Sequence, residues 1–467
     1  MTIKETSTAA DGPGLEARKM AVSIVFEVLE KGQYANLVLE RSLRRSTLSW
    51  INRHLITEIV NGSIRMVRHL DWVLDLFLAK PVSKQHPWVR NVLRISLYQL
   101  IFMDRIPDYA CVDDAVRMTK NKVGKGMGAL VNGVLRSILR HGGKIEFPEG
   151  DQLQYLAVKY SYPDWLVREL LNLADYAEVE KLLIYLNQPP AVVLRSNSLL
   201  IERSDLVTRL KAEGVTAQAG DYTPWSVQIS GLKQPITELA SYQSGLFYLQ
   251  NEGSMLAAAI LAPSPGDTLY DLGAGVGGKS THLAELMKDN GKITAVELHV
   301  HKLRLLESNC RRLGITSVNP LNMDILQLQP DMPAAQGVLV DAPCSGWGVL
   351  NRRADARWHL QAEAVRTLPD LQLRLLQAAA RLVKPGGLLL YSTCTINRAE
   401  NQGVVDAFLR NQAGHFTREG FADKISFFPL EERDAEDARE GSLTLWPGRY
   451  HCDGMFYALM RRVPADE

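Results

Sequence analysis

The sequence predicts a multidomain chain: an all-α N-terminal domain over residues 1–145, a small α+β connector over 146–250, and an α/β domain with a Rossmann-like sheet over 251–467. Three observations carry that expectation. At 467 residues the chain is too long for one ordinary core and suits two or three. Apolar residues recur at three- and four-residue intervals from 15 to about 142, the period of a helix with one buried face. From about residue 253, short apolar runs, glycine-bearing turns and helical patterns alternate, as they do when a mostly parallel sheet is covered by helices on both faces.

The helical expectation rests on residues 17–29, 56–69, 86–102 and 112–139. A Gly- and Pro-rich stretch over 142–150 reads as a linker. In the connector, 165–186 reads as two short helices, 191–197 as a strand, 203–213 as a helix, and the surroundings of 227–229 and 246–250 as strands. The last domain pairs strand 268–271 with helix 281–288, 292–297 with 301–313, 337–341 with 368–383, and 388–392 with 399–409. The charged run 431–440 reads as an exposed loop. In such a sheet, ligands lie beyond the carboxyl ends of the strands.

An apolar fraction of 46% and a charged fraction of 22% exclude long disorder. No apolar run approaches the roughly 18 residues of a membrane span, and residues 1–15 lack the apolar middle of a signal peptide, so a cytoplasmic protein without a membrane partner is expected. Five scattered cysteines without a C-x-x-C pair argue against a disulfide framework and against a metal site. The net charge of +1 conceals an asymmetry, since residues 1–150 hold 22 Lys+Arg against 15 Asp+Glu. That excess suits a phosphate backbone, with Lys120, Lys122, Lys125, Asn132 and Arg136 as a candidate RNA-facing stretch.

The chemistry-bearing signatures all fall at predicted strand ends. A glycine-rich turn, Asp271-Leu272-Gly273-Ala274-Gly275-Val276-Gly277-Gly278-Lys279, lets the backbone bend sharply and approach a ligand at a helix N-terminus. It lacks the upstream glycine of a phosphate-binding P-loop. Glu297 ends the next strand, where a carboxylate can accept from both ribose hydroxyls, and Asp324 follows in the next loop, where it could address an adenine amino group. This layout suits NAD as well as S-adenosyl-L-methionine. Lys279 stands in a first helical turn, where the dipole disfavours a cation, so a partner is expected: a cofactor carboxylate or Asp341.

Two cysteines close the other signatures, Asp341-Ala342-Pro343-Cys344-Ser345-Gly346 and Ser392-Thr393-Cys394-Thr395. With the glycine turn they suggest covalent methyl transfer to a pyrimidine. C5 of cytosine is a poor nucleophile until a thiolate adds at C6, and an acid at N3 eases that addition, a role that suits Asp341 if burial raises its pKa. Spacing alone does not say which thiol is the nucleophile. Cys111, Cys310 and Cys452 read as small buried hydrophobes.

On these residues the chain resembles the RNA cytosine-5 methyltransferases of the NOL1/NOP2/Sun family, over nearly its whole length and with a NusB-like N-terminal domain. The resemblance implies a class I methyltransferase fold and S-adenosyl-L-methionine held by Gly273 through Lys279, Glu297, Asp324 and Asp341. It implies Cys394 as nucleophile, Cys344 as the residue assisting release, and Asp341 and Lys279 beside them. Its implied partner is an unpaired or flipped-out cytosine of small-subunit (16S) ribosomal RNA, acted on by a monomer. The family usually reads Cys-Ala-Ala-Pro-Gly-Gly-Lys at the turn; the loss of proline and gain of Gly273 and Gly275 should make it more flexible. Met455 stands where an aromatic is usual, in a hairpin expected to be structural. The rivals are a transfer RNA methyltransferase of the same chemistry, a catalytically silent RNA-binding assembly or transcription factor, and an NAD-dependent oxidoreductase.

Overall fold

The computed structural model describes residues 13–142 and 145–464. Most of the N-terminal stretch read for a signal peptide, and Gly143 and Lys144 of the expected linker, lie outside them. The chain folds as two compact units, Met1–Asn187 with Asn351–Leu360, and Gln188–Leu350 with Gln361–Glu467. Among the described residues no helix is long and apolar enough to cross a membrane.

The first unit is all helix. The expected pattern at 17–29 becomes Pro13–Lys31, and 86–102 becomes Pro87–Phe102. The stretch 56–69 divides into Trp50–Arg65 and Val67–Phe77, and 112–139 into Asp108–Lys122 and Lys125–His141. The second break is written in the sequence, since Gly124 takes φ +123°, where a side chain would be strained. The helix Ala35–Arg44 has no counterpart in the expectation. Ile56, Ile59, Val60 and Ile64 show how the core forms: their spacing puts them on one face, all are fully buried, and each contributes roughly 1.5–3 kcal/mol. Ends are capped as the residues allow, with the Ser49 side chain accepting from Asn52 N and Asp151 from Gln154 N.

Residues Asn351–Leu360 belong to this helical unit although they follow the first cysteine signature. Asp355 accepts from the Ala35 amide at 2.9 Å, Trp358 donates to Ile64 O at 2.8 Å, and Asn351 O accepts from Arg65 at 3.0 Å. Arg357 is fully buried, donates to Ser161 O and Asn187 Oδ1, and lies over the Tyr162 ring at 3.9 Å. Burial pulls its pKa down to about 10.

The second unit holds two sheets. The smaller is antiparallel: β1 (Val192–Ser196), β2 (Thr216–Ala219), β3 (Ser226–Ser230) and β4 (Phe247–Leu249) stand in the order β2-β3-β1-β4. The sequence signals β1, β3 and β4 but not the polar edge strand β2. The larger comprises β5 (Thr268–Leu272), β6 (Lys292–Glu297), β7 (Val318–Asn322), β8 (Ala335–Asp341), β9 (Val383–Thr393), β10 (Phe416–Arg418), β11 (Ser442–Leu445) and β12 (Met455–Arg462). Its order is β10-β12-β9-β8-β5-β6-β7, with β11 also on β12. Strands β5 to β9 run parallel and β12 antiparallel. The expected Rossmann-like domain is present. The charged run 431–440 is not a loop but the helix Glu432–Arg439, fixed because buried Asp434 accepts from Tyr450 Oη and Arg449.

Candidate active site

The register of the parallel strands sets the working ends level: Leu272 faces Val296 and Val340, Glu297 faces Asn322, and Asp341 faces Ser392. The glycine turn leaves β5 at this level. Gly273, Gly275 and Gly277 all have left-handed φ, at +85°, +58° and +91°, so the two glycines in which this chain departs from the family pattern are used as glycines. The turn is pinned below by Gly273 N and Ala274 N, which donate to Val296 O at 2.9 and 3.0 Å. Glu297 holds it from the side, one oxygen accepting from Gly275 N at 3.0 Å and the other from His299 N at 2.9 Å. Each carboxylate oxygen keeps a second lone pair. Asp324 lies two residues past Asn322 and accepts from Leu326 N within its own loop.

Under the turn sits a buried polar floor that the sequence reading missed. Ser280 donates to Asp271 at 2.5 Å, and burial, with the nearby Asp341 charge adding to it, pushes Asp271 up to about 6. Arg195, from β1, donates to Gly278 O at 2.7 Å, Thr281 Oγ1 at 2.9 Å and Glu285 at 2.8 Å, and pairs with Gln250. Both members of the Arg195–Glu285 ion pair are wholly buried.

The two predicted cysteines come together. Cys344 and Cys394 leave the ends of adjacent strands β8 and β9, both half-buried, with their sulfurs 3.3 Å apart. Gly348 N donates to Cys394 O at 3.1 Å, and Ala342 N to Ser392 O at 3.0 Å, so the loops are also joined through backbone. The Cys394 sulfur at hydrogen-bond distance, then burial, then the charges of Cys394 and Glu400 push the Cys344 thiol well above its usual pKa.

Lys279 finds one of its two expected partners, with Nζ 2.7 Å from Asp341 Oδ2. Burial works against the ammonium, but Asp341, Asp271 and Cys394 around it outweigh that and hold its pKa above the usual lysine value. The burial expected of Asp341 is not met: its side chain is 32% exposed and also accepts from Ser392 Oγ at 3.0 Å. Cys111, Cys310 and Cys452 are buried elsewhere, and burial pushes Cys111 up to about 12 and Cys310 up to about 11. Met455 opens β12 in the core, paired with Leu445 of β11.

The family described as 16S rRNA methyltransferase RsmB/F matches residues 258–461, the NusB family matches 15–140, and the ferredoxin-like domain of RsmF/B-like methyltransferases matches 162–235. The probable ribosomal RNA small subunit methyltransferase B of Bacillus subtilis is 36% identical over 448 residues, covering 95% of this chain and 98% of that one. Its counterpart in Synechocystis is 33% identical, covering 96% and 100%. The crystal structure of the protein PH0851 superimposes with a TM-score of 0.77 at 27% identity, covering 97% of this chain and 99% of that one. By sequence over almost its full length, the chain belongs to the RsmB/F family of 16S rRNA methyltransferases.

Proposed function

We propose that the chain methylates C5 of a cytosine in small-subunit ribosomal RNA through a transient bond between Cys394 and C6. The observation that carries this reading is the pair of sulfurs 3.3 Å apart beside the Lys279–Asp341 ion pair. Two thiols in contact suit a reaction in which one sulfur bonds the base and another group assists its departure. Their surroundings favour Cys394 as the nucleophile, because Lys279 interacts electrostatically with it while Glu400 opposes charge on Cys344.

The residues at the turn fit S-adenosyl-L-methionine: the glycines present backbone without side chains, and Glu297 retains acceptor capacity for ribose hydroxyls. When bound, that cofactor supplies a methyl group on a positively charged sulfur, which the activated C5 takes. This chain's own residues supply the rest. As Cys394 adds at C6, a proton passes to N3 from the Lys279–Asp341 pair, whose shared proton serves in place of a buried acid. After methyl transfer the C5 proton leaves to water and its electron pair re-forms the C5–C6 double bond. The C6–S pair departs on Cys394, and N3 returns its proton. C6 is unreachable in a stacked helix, so the target base is unpaired or turned out, and the basic residues of 1–150 suit the flanking backbone. The three-part division at 1–145, 146–250 and 251–467 belongs to the same reading, with RNA binding assigned to the first part.

Incubating the protein, radiolabelled S-adenosylmethionine and small-subunit ribosomal RNA tests this. Cys394→Ala abolishes label transfer, a loss of at least about 10⁴-fold for a nucleophile, whereas Cys344→Ala accumulates a protein–RNA adduct on a denaturing gel. The reverse pattern would exchange the two roles, and no label on any ribosomal RNA would refute the activity.

A further inference from the structure

Six residues past Cys394, Glu400 is fully buried between β9 and the helix Gln402–Asn411. Its carboxylate is the meeting point of three chain segments. Oε2 accepts from Ser345 N and Gln372 Nε2, both at 2.9 Å, and Oε1 accepts from Ser345 Oγ at 2.5 Å and Asn397 Nδ2 at 2.9 Å. Gln372 Nε2 also donates to Pro343 O at 2.9 Å. Of the peptide neighbours of Cys344, Ser345 is thereby tied to Glu400 directly and Pro343 through Gln372. The Ser345 hydroxyl has a single hydrogen and gives it to Glu400, so the 2.8 Å contact between Ser345 and Thr395 is donated by Thr395, the residue after Cys394. The side-chain contacts that join the two cysteine loops thus run through Ser345 to Glu400, beside the backbone bonds that also link them.

We propose that Glu400 is a positioning residue for the release step: it fixes Cys344 at 3.3 Å from Cys394, where the Cys344 S–H can hydrogen-bond to the sulfur leaving C6. This rests on the covalent reading above. In that step the C5 proton goes to water, the C5–H electrons become the ring double bond, and the C6–S electrons stay on Cys394. Glu400 touches neither base nor cofactor. Bond formation at C6 needs only Cys394 and the Lys279–Asp341 pair, so the residue's loss separates the two halves of the reaction.

The test uses the full chain with Glu400→Gln, whose amide nitrogen would face two of the four donors. Small-subunit RNA transcribed with 5-fluorocytosine halts the reaction at the adduct, because C5 then has no proton to lose, and so isolates the first half. The expected result is trapping within about threefold of the parent. Turnover on unmodified RNA should fall roughly 10- to 100-fold, the size expected for lost charged hydrogen bonds, with adduct accumulating. Turnover equal to the parent, or trapping and turnover falling together, overturns the proposal. Should Glu400→Gln fail to fold, Ser345→Ala removes one of the four bonds and takes the same test; a smaller loss of turnover is expected, and the same two outcomes overturn the proposal. A parent protein that traps no adduct would overturn the covalent reading itself, a result distinct from any of these.

Discussion

The glycine turn and the two cysteine loops leave the same edge of the same sheet, yet they are held in different ways. The turn rests on backbone hydrogen bonds to Val296, on conformations that glycine alone adopts freely, and on the buried Arg195–Glu285 pair beneath it. The cysteine loops also share backbone bonds, but their approach to each other is set largely by side chains meeting at Glu400. A support built into the backbone is shared with the fold, so damaging it should lower stability. A support gathered on one side chain can be changed with most of the fold intact, so damage should appear in the reaction.

That contrast can be broken in order of expected size. Arg195→Met should destabilise the protein by about 3–5 kcal/mol, because Glu285 is left buried without its cation, and a urea titration reads it. If stability barely moved while methyl transfer collapsed, the pair would serve the reaction and the contrast would fail. Gly277→Ala comes next: its Cβ would lie 2.9 Å from Leu306 Cγ, which is buried, at a φ of +91°. The expected loss is about 1–3 kcal/mol, with weaker cofactor binding by calorimetry. Smallest is a pH effect at Asp271, whose folded pKa of about 6 exceeds the ordinary 3.8. Its stabilising share is fully present below 3.8 and is lost as pH rises through about 6, since the native state holds the proton more tightly. Asp271→Asn should flatten that fall, so the difference between urea midpoints at about pH 4.5 and about pH 7 should shrink. An unchanged difference would mean that the slope arises elsewhere.

Much of this architecture was legible in local pattern. Alternating strands and helices placed β5, β6, β8 and β9, and with them Glu297, Asp341 and both thiols, because parallel strands buried on both faces read as continuous apolar runs. What escaped depends on partners distant in sequence. Glu400 carries no local signature, since its partners Ser345 and Gln372 lie 55 and 28 residues away. Arg195 sits in a strand where an arginine reads as solvent-facing, and its burial is accounted for by partners far along the chain, Gly278, Thr281 and, 90 residues on, Glu285. The helix Glu432–Arg439 looked like a solvated loop because its charges hide the buried Asp434. Burial was expected of Asp341, but the wholly buried carboxylate is Asp271 on the neighbouring strand β5, level with Leu339 and so two residues deeper in the sheet. Nothing in the local residues distinguishes which of two neighbouring strands carries the covered carboxylate.

The ten residues from Asn351 to Leu360 have a consequence for dissecting the molecule. The chain passes between the two units three times, after Asn187, after Leu350 and after Leu360. A catalytic fragment begun at Gln188 would therefore carry a severed plug, with Arg357, Trp358 and Asp355 stripped of Ser161, Ile64 and Ala35. The converse fragment, ending at Asn187, would have an open socket where that plug belongs. Chimeras between relatives face the same constraint: exchanging the helical half requires exchanging these ten residues with it.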